Sequence, residues 1–272
     1  MTGANRPRWR HVYDDLRTQI ERGDLAPGQR IPAELELAER YGFSRPTIRT
    51  ALGHLQQDAL ITAGAGSLGR TVRSRFSIFF NASDFERGAY TDDPAKAVDQ
   101  WKADVEQQGW IPRQVVTVTW MAAPSDIAEM LDVAEGTMLA RRRRLRMVSK
   151  PPQNAEMPVM LADTWTPEDI AVRTVIGDDG QEFAPFLVER DVVVAGGIFR
   201  AIGCEQREFE DRIVPRMPTP DEVDLLDLQP GSPVGQHARI GIDHSGRRVR
   251  VLVSTWVGER QVLRYRLPAN PS

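Results

Sequence analysis

The sequence predicts an α+β chain in two parts: a small helical module closed by a two-stranded wing, then a larger domain built on an antiparallel sheet. Three observations carry this. The first 75 residues show amphipathic helical spacing followed by a glycine-rich basic turn. A stretch with little periodicity separates them from the rest. The remainder holds two copies of one helix–strand–strand pattern, which implies a layered sheet with helices on it. A length of 272 residues suits two domains. The expected limits are 1–75 for the first part, 76–93 for a linker and 94–272 for the second part.

In the first part, Trp9, Tyr13, Leu16 and Ile20 form one apolar stripe of a helix that Gly23 ends. A second helix is expected in "PAELELAERYG", with Glu34 and Glu36 favouring the positive end of its dipole and Gly42 closing it. The third begins at "SRPTIRTALGHL". Ser44 can cap it, Pro46 is tolerated in a first turn, and Ile48, Leu52 and Leu55 form its buried seam. Arg45 and Arg49 project elsewhere, with Thr47 beside them. A helix after a tight turn, with arginines and short polar side chains at its leading edge, has the geometry of one that enters a DNA major groove. Two short strands, Leu60–Thr62 and Arg70–Val72, then flank a tip in which Gly64 and Gly66 let the backbone approach a phosphate or a minor groove closely. The blander alternative, a helical bundle with a solvated arginine face, does not account for helix, turn, helix and basic wing arriving in order.

Charge divides along the same boundary. Residues 1–75 hold twelve arginines, no lysine and eight acids, a net of +4, while the whole chain is −3. A basic front and an acidic back fit a polyanion-binding module joined to something else. Cys204 is the single cysteine, so neither an internal disulfide nor a cysteine-rich zinc site is possible within the chain. The four histidines, His11, His54, His237 and His244, are not at metal-ligand spacing, and no cofactor is expected. The start lacks the apolar core of a signal peptide, and no segment approaches the roughly 18 apolar residues of a membrane span, so the expectation is a cytoplasmic protein without a membrane partner.

At "YDDLRTQIERGDLAPGQRIPAELELAERYGFSRPTIRTALGHLQQDALI" the chain resembles the GntR family of bacterial transcription regulators. Two motifs carry the resemblance at the family spacing: the L-x-PG-x-x-[LI]-P-x-E-x-x-L-A turn and the S-R-x-T-[IV]-R-x-A-L helix. It implies a winged helix-turn-helix, with Ser44, Arg45, Thr47, Arg49 and the wing-tip Gly66 contacting DNA. The chain departs from the family at Leu35, where many members carry arginine.

In the second part, "DDPAKAVDQWKADVEQQG" reads as a helix capped at Asp92 or Asp93, with Val98, Trp101 and Val105 buried, and "QVVTVTW" as a strand. Residues 124–144 align with 219–239 at an offset of 95, and "LADTW" at 161–165 falls on "LVSTW" at 252–256 at an offset of 91. On a strand, Arg142, Arg144 and Arg146 share one face and Arg141 and Arg143 the other. One set can point into a pocket where an anion would pair with it, or the strand can be an edge that uses charge against aggregation.

Residues about 80–267 also resemble the UTRA effector domain of the HutC subfamily, which has a chorismate-lyase-like antiparallel-sheet fold. The stretches are "ARRRRLR", "MPVMLADTWTPEDIA", "VPRMPTPDEVDLLDLQPGSPV" and "VLVSTWVGERQVLRYRL". That resemblance implies a small, anionic effector on Arg142 and Arg144, with Thr164. Glu210 and Arg212 are added as lining residues from the residue reading alone. The expected whole is a dimeric regulator, a repressor on an inverted-repeat operator in double-stranded DNA, modulated by a small molecule. A regulator without an effector is the alternative. An enzyme has no paired acid and base to support it.

Overall fold

The structure, a computed structural model, describes residues 7–62, 69–73, 77–83, 99–151, 155–177, 180–228, 232–258 and 260–266. The chain separates into two compact units, Met1–Phe76 with Gln229–Ser232, and Ser77–Leu228 with Pro233–Ser272.

The first unit is built on α1 (Arg8–Arg22), α2 (Glu34–Tyr41) and α3 (Arg45–Gln57). The apolar positions spaced for one helical face do meet: Leu16, Leu37, Ile48, Leu52 and Leu55 form one core with Val12, Leu25 and Ile61, and Trp9 and Ile20 pack on its edge. Gly23 and Gly42 end α1 and α2 in the left-handed region, at φ 82° and 68°, where a side chain would be strained. Ser44 occupies the N-cap position of α3, but its hydroxyl pairs with the Thr47 hydroxyl at 2.9 Å instead of an amide, so the expected side-chain cap is not made. After α3 the chain returns as a narrow ribbon. Ile61 bridges Val72, the Thr62 amide donates to the Thr71 carbonyl at 2.9 Å, and Arg30 bridges Thr71 from a third side. The tip with Gly64 and Gly66 lies outside the described residues.

The second unit begins with β1 (Ile78–Asn81), which pairs in parallel with β10 (Gln261–Arg264). The linker expected at 76–93 therefore needs correcting at its start: Ile78 and Phe80 are buried and the strand belongs to the second unit. α4 (Gln100–Gln107) follows, capped by Asp99, whose carboxylate accepts from the Lys102 amide at 3.2 Å. The helix thus starts later than its sequence pattern indicated, and the expected caps Asp92 and Asp93 lie outside the described residues.

Then come β2 (Ile111–Ala122), α5 (Ser125–Leu131), β3 (Met138–Ser149), β4 (Met157–Pro167), α6 (Glu168–Ala171), β5 (Val175–Ile176), β6 (Glu182–Phe183), α7 (Ile198–Ala201), β7 (Gln206–Arg216), α8 (Pro220–Leu225), β8 (Val234–Asp243) and β9 (Arg248–Val257). Six of the strands make one antiparallel sheet in the order β2-β3-β4-β9-β8-β7.

This order is a two-fold arrangement about the β4–β9 seam, with β2, β3 and β4 on one side matched by β7, β8 and β9 on the other. Asp132 and Asp227, 95 apart, follow α5 and α8 and both sit in the left-handed region, at φ 56° and 48°. The offset of 91 for the last strand needs one correction. Arg142 faces Thr164, and its counterpart His237 faces Ser254, which sets the strand offset at 90. Aligning "LADTW" with "LVSTW" would place Thr164 and Thr255 on opposite faces of the sheet.

One face of the sheet is covered by α5, where Ile127, Ala128 and Leu131 pack on Leu139, Trp165, Ala238, Ile240 and Val251. Beside β3, α6 and α7 close a second cluster with Ala140, Phe186, Phe199 and the buried thiol of Cys204. Burial pushes that thiol's pKa up, which makes it a poor nucleophile. No described helix is long and apolar enough to cross a membrane.

Candidate DNA interface and ligand site

In the first unit the buried seam of α3 fixes which side chains face out. Ile48 and Leu52 anchor the helix, so Arg45 and Arg49 stand on an exposed edge with Thr47 partly covered between them. Arg45 makes no ion pair among the described residues. Arg49 is 63% exposed at its side chain, yet it is not loose: its Nη2 donates to Glu34 Oε2 at 3.0 Å, and its Nε lies 3.3 Å from the same oxygen. Glu34, at the first turn of α2, also accepts from Arg70 Nη1 at 3.2 Å. The Arg49 hydrogen bond, with help from Arg70, holds the Glu34 carboxyl below its usual range. Leu35 is 56% exposed beside it. Gly66, the remaining DNA residue expected from the sequence, lies outside the described residues.

In the second unit, side chains opposite one another across an antiparallel ladder share a face. Arg142 faces Thr164, Thr164 faces Leu252, Leu252 faces Arg239 and Arg239 faces Asp211. All five therefore emerge on the face opposite α5, together with Arg144, Arg146 and Arg250. Glu210 and Arg212 do not. They face Ile240 and Ala238, members of the cluster under α5, and they pair with each other at 2.7 Å. Their expected place in the site is corrected: β7 presents Asp211 to that face, and its two neighbours point the other way.

The three arginines that β3 presents to this face differ in their surroundings. Arg142 is 2% exposed and donates to the backbone carbonyls of Val188 and Arg190, and burial draws its pKa down to about 10. Arg146 is sealed as well, lying over the Trp101 ring at 4.8 Å and donating to Gln114 Oε1 at 3.3 Å. Gln114 relays this to Asp99 at 3.1 Å and to Asp191 at 2.6 Å, and Lys102 pairs with Asp191. Although burial opposes ionisation of Asp99, Arg146 and Arg144 keep its carboxyl below the usual range.

Arg144 is the exception. It keeps some accessible surface, and its guanidinium donates to the neutral Thr164 hydroxyl at 3.2 Å. Burial, then Arg142 and Arg146, press its pKa well down, Asp99 opposes them, and Arg250 adds to the repulsion. Such a cationic spot has the chemistry to hold an anion through a charge-assisted fork.

Across the seam, the second half is closed from within. Asp211 accepts from Arg239 Nε and Nη2, both at 2.8 Å, lies 2.7 Å from His237 Nε2, and accepts from the Tyr265 hydroxyl at 3.0 Å. His237 and Arg239 stand 95 residues after Arg142 and Arg144, so the internal repeat was the signal that could have found them. Asp99, Gln114 and Asp191 come from a helix cap, a neighbouring strand and a loop, and no spacing joins those to β3. Among the described residues no His, Cys, Asp and Glu cluster could hold a metal ion.

A helix-turn-helix core with an arginine edge and a wing stem, followed by an α+β sheet domain, defines a DNA-binding transcription regulator. Residues 9–67 match the model of the bacterial regulatory proteins of the gntR family. The chain is 25% identical over 261 residues to the uncharacterized HTH-type transcriptional regulator SCO4628 of Streptomyces coelicolor, covering 93% of this chain and 90% of that protein. It is 32% identical over 132 residues to the histidine utilization repressor of Pseudomonas putida, covering 48% and 47% of the two chains. The crystal structure of PhnF from Mycobacterium smegmatis superposes with a TM-score of 0.52 over 95% of this chain and 100% of that one, at 18% identity, which shows a common fold. The first unit carries a helix-turn-helix domain of the GntR family of bacterial regulators, and the HutC/UTRA form of that family fits the chain. It is a regulator of transcription and not an enzyme.

Proposed function

We propose that the chain acts as a homodimeric repressor in the cytoplasm, each wing-bearing unit reading one half of an inverted repeat. Ser44, Arg45, Thr47 and Arg49, with Gly66 at the wing tip, form the contact set. One module reaches only a half-site, and operator symmetry mirrors protein symmetry. A small anion on Arg144 and Thr164, backed by Arg142, then modulates operator affinity. A hundredfold loosening needs about 2.7 kcal/mol of differential affinity between the two states.

The observation that carries the DNA reading is the exposed edge of α3, where Arg45 faces solvent while Ile48, Leu52 and Leu55 are fully buried beneath it. The test is selection from a pool of randomised duplexes with the full chain, followed by footprinting of wild type and Arg45→Ala. A palindromic consensus protected by the wild type and lost in the variant is expected; a footprint kept by Arg45→Ala refutes the assignment. For the sensor half, thermal-shift titration with small phosphates and carboxylates should find a stabilising anion. If none stabilises the chain, the effector reading fails and a regulator without effector takes its place.

A further inference from the structure

Glu34 draws on the DNA contact set without belonging to it. Its side chain is 17% exposed, and its carboxylate bridges two cations from different elements: Arg49 on α3, at 3.0 Å, and Arg70 on the wing stem, at 3.2 Å. The backbone beneath is fixed on each side. Glu34 opens α2, and the Ala33 amide is held by Glu36 at 3.0 Å. Arg70 lies beside Thr71 and Val72, which bridge Arg30 and Ile61, and its carbonyl accepts from the Ile31 amide at 2.8 Å. The carboxylate is therefore a fixed point, and the arginine with which it pairs most closely is the one with most of its surface in solvent.

Two physical consequences follow from that geometry. An exposed arginine samples many rotamers, and ordering it on a ligand costs conformational entropy; one already held by two of its nitrogens loses less. A carboxylate on the reading surface also repels phosphate, weakening contacts to any duplex, while a guanidinium it orients keeps free N–H groups for a base edge. Preorganisation raises affinity for the correct sequence, and repulsion falls hardest on complexes held through phosphate alone, in which no base contact offsets it. Both widen the gap between specific and non-specific binding.

We propose that Glu34 is a positioning residue for sequence discrimination: it holds Arg49 in its reading geometry, ties it to Arg70 of the wing stem, and discourages both from settling on phosphate. This rests on the reading of α3 as the DNA-contacting helix. Glu34 itself touches no base.

The experiment is a double-mutant cycle on the full chain, using Glu34→Ala, Arg49→Ala and the pair. The probes are the duplex that wild type selects from a randomised pool and a scrambled duplex of the same length. The quantity read is the ratio of the two affinities. Glu34→Ala should lower this ratio at least tenfold when Arg49 is present and less than twofold when Arg49 is alanine. Affinity for the scrambled duplex should rise, and its dependence on salt should steepen by about one counterion, since released guanidinium groups find phosphates. A merely structural role would weaken both duplexes together and persist without Arg49. Equal losses in the two backgrounds, or an unchanged ratio, overturn the proposal. If thermal melting shows that Glu34→Ala does not fold, Glu34→Gln replaces it in the same cycle. A wild type that selects no sequence refutes the DNA reading itself, a distinct outcome.

Discussion

Replacing Asp211 by asparagine tests the buried network of the second half-sheet with a change of one atom type and no change of shape. Asp211 Oδ1 and Oδ2 receive a fork from Arg239, with Oδ1 also 2.7 Å from His237 and Oδ2 accepting from Tyr265. Arg239 is 5% exposed and His237 is 3% exposed. With asparagine in place, the Arg239 cation keeps the Ala82 carbonyl at 3.1 Å but loses the charge of Asp211. Removing one partner of a buried pair costs about 3–5 kcal/mol, and because Asp211 keeps partial solvent access the lower end applies, about 3 kcal/mol. For a domain of this size that is a fall in Tm of about 6–12 °C.

The pH dependence supplies a second check on the same variant. The Asp211 carboxyl titrates far below its ordinary value because the Arg239 and His237 hydrogen bonds outweigh the cost of burial. A depressed folded pKa contributes stability that is fully present above the unfolded value of about 3.9 and is lost as pH falls through the folded value. The gap between wild type and variant should thus be constant near neutrality and shrink only in strong acid. Urea unfolding of both chains at neutral and acid pH measures it. A gap below about 1 kcal/mol at neutral pH, or one that widens in acid, refutes the account.

Arg144→Ala should leave operator affinity unchanged, abolish stabilisation by any anion found for the wild type, and raise the ligand-free Tm by a few degrees, because it removes a charge repelled by Arg142, Arg146 and Arg250; a lower ligand-free Tm would mean that the guanidinium is satisfied from within. Gly235→Ala places a methyl group 2.3 Å from the Trp256 ring, and overpacking of this sort costs about 1–3 kcal/mol; chemical denaturation showing no loss would mean that the ring is free to move aside.

Much of the first unit was legible because helical periodicity is local. Ile48, Leu52 and Leu55 had to share a face whatever else the chain did, and that fixed where Arg45 and Arg49 point. The Ser44 cap was misread because its hydroxyl has a competing partner three residues on, Thr47. In the second unit, parity within β3 sorted Arg142, Arg144 and Arg146 correctly, since alternation along one strand needs no partner. Parity between strands is different. Whether Glu210 or Asp211 shares the face of Arg142 depends on four ladder registers, three of which contain a bulge. No local pattern states those registers, and a slip of one residue inverts the answer. For the same reason the match of "LADTW" with "LVSTW" was one residue out. Leu35 and Ile78–Asn81 show the other limit: an exposed apolar side chain and a four-residue strand carry too little pattern to be placed from sequence.

The duplicated sheet gives the molecule a built-in comparison. Val116 stands opposite Arg144, and Asp211, 95 positions later, stands opposite Arg239. Equivalent guanidinium groups thus meet a hydrocarbon in one half and a carboxylate in the other. Where the neighbour is valine, the adjoining strand offers the cation no counter-charge and Asp99 must act from another element; where it is aspartate, the adjoining strand supplies the counter-ion. On the effector reading proposed above, a receptor half and an inert half need differ, at this spot, by no more than the residue on the adjoining strand.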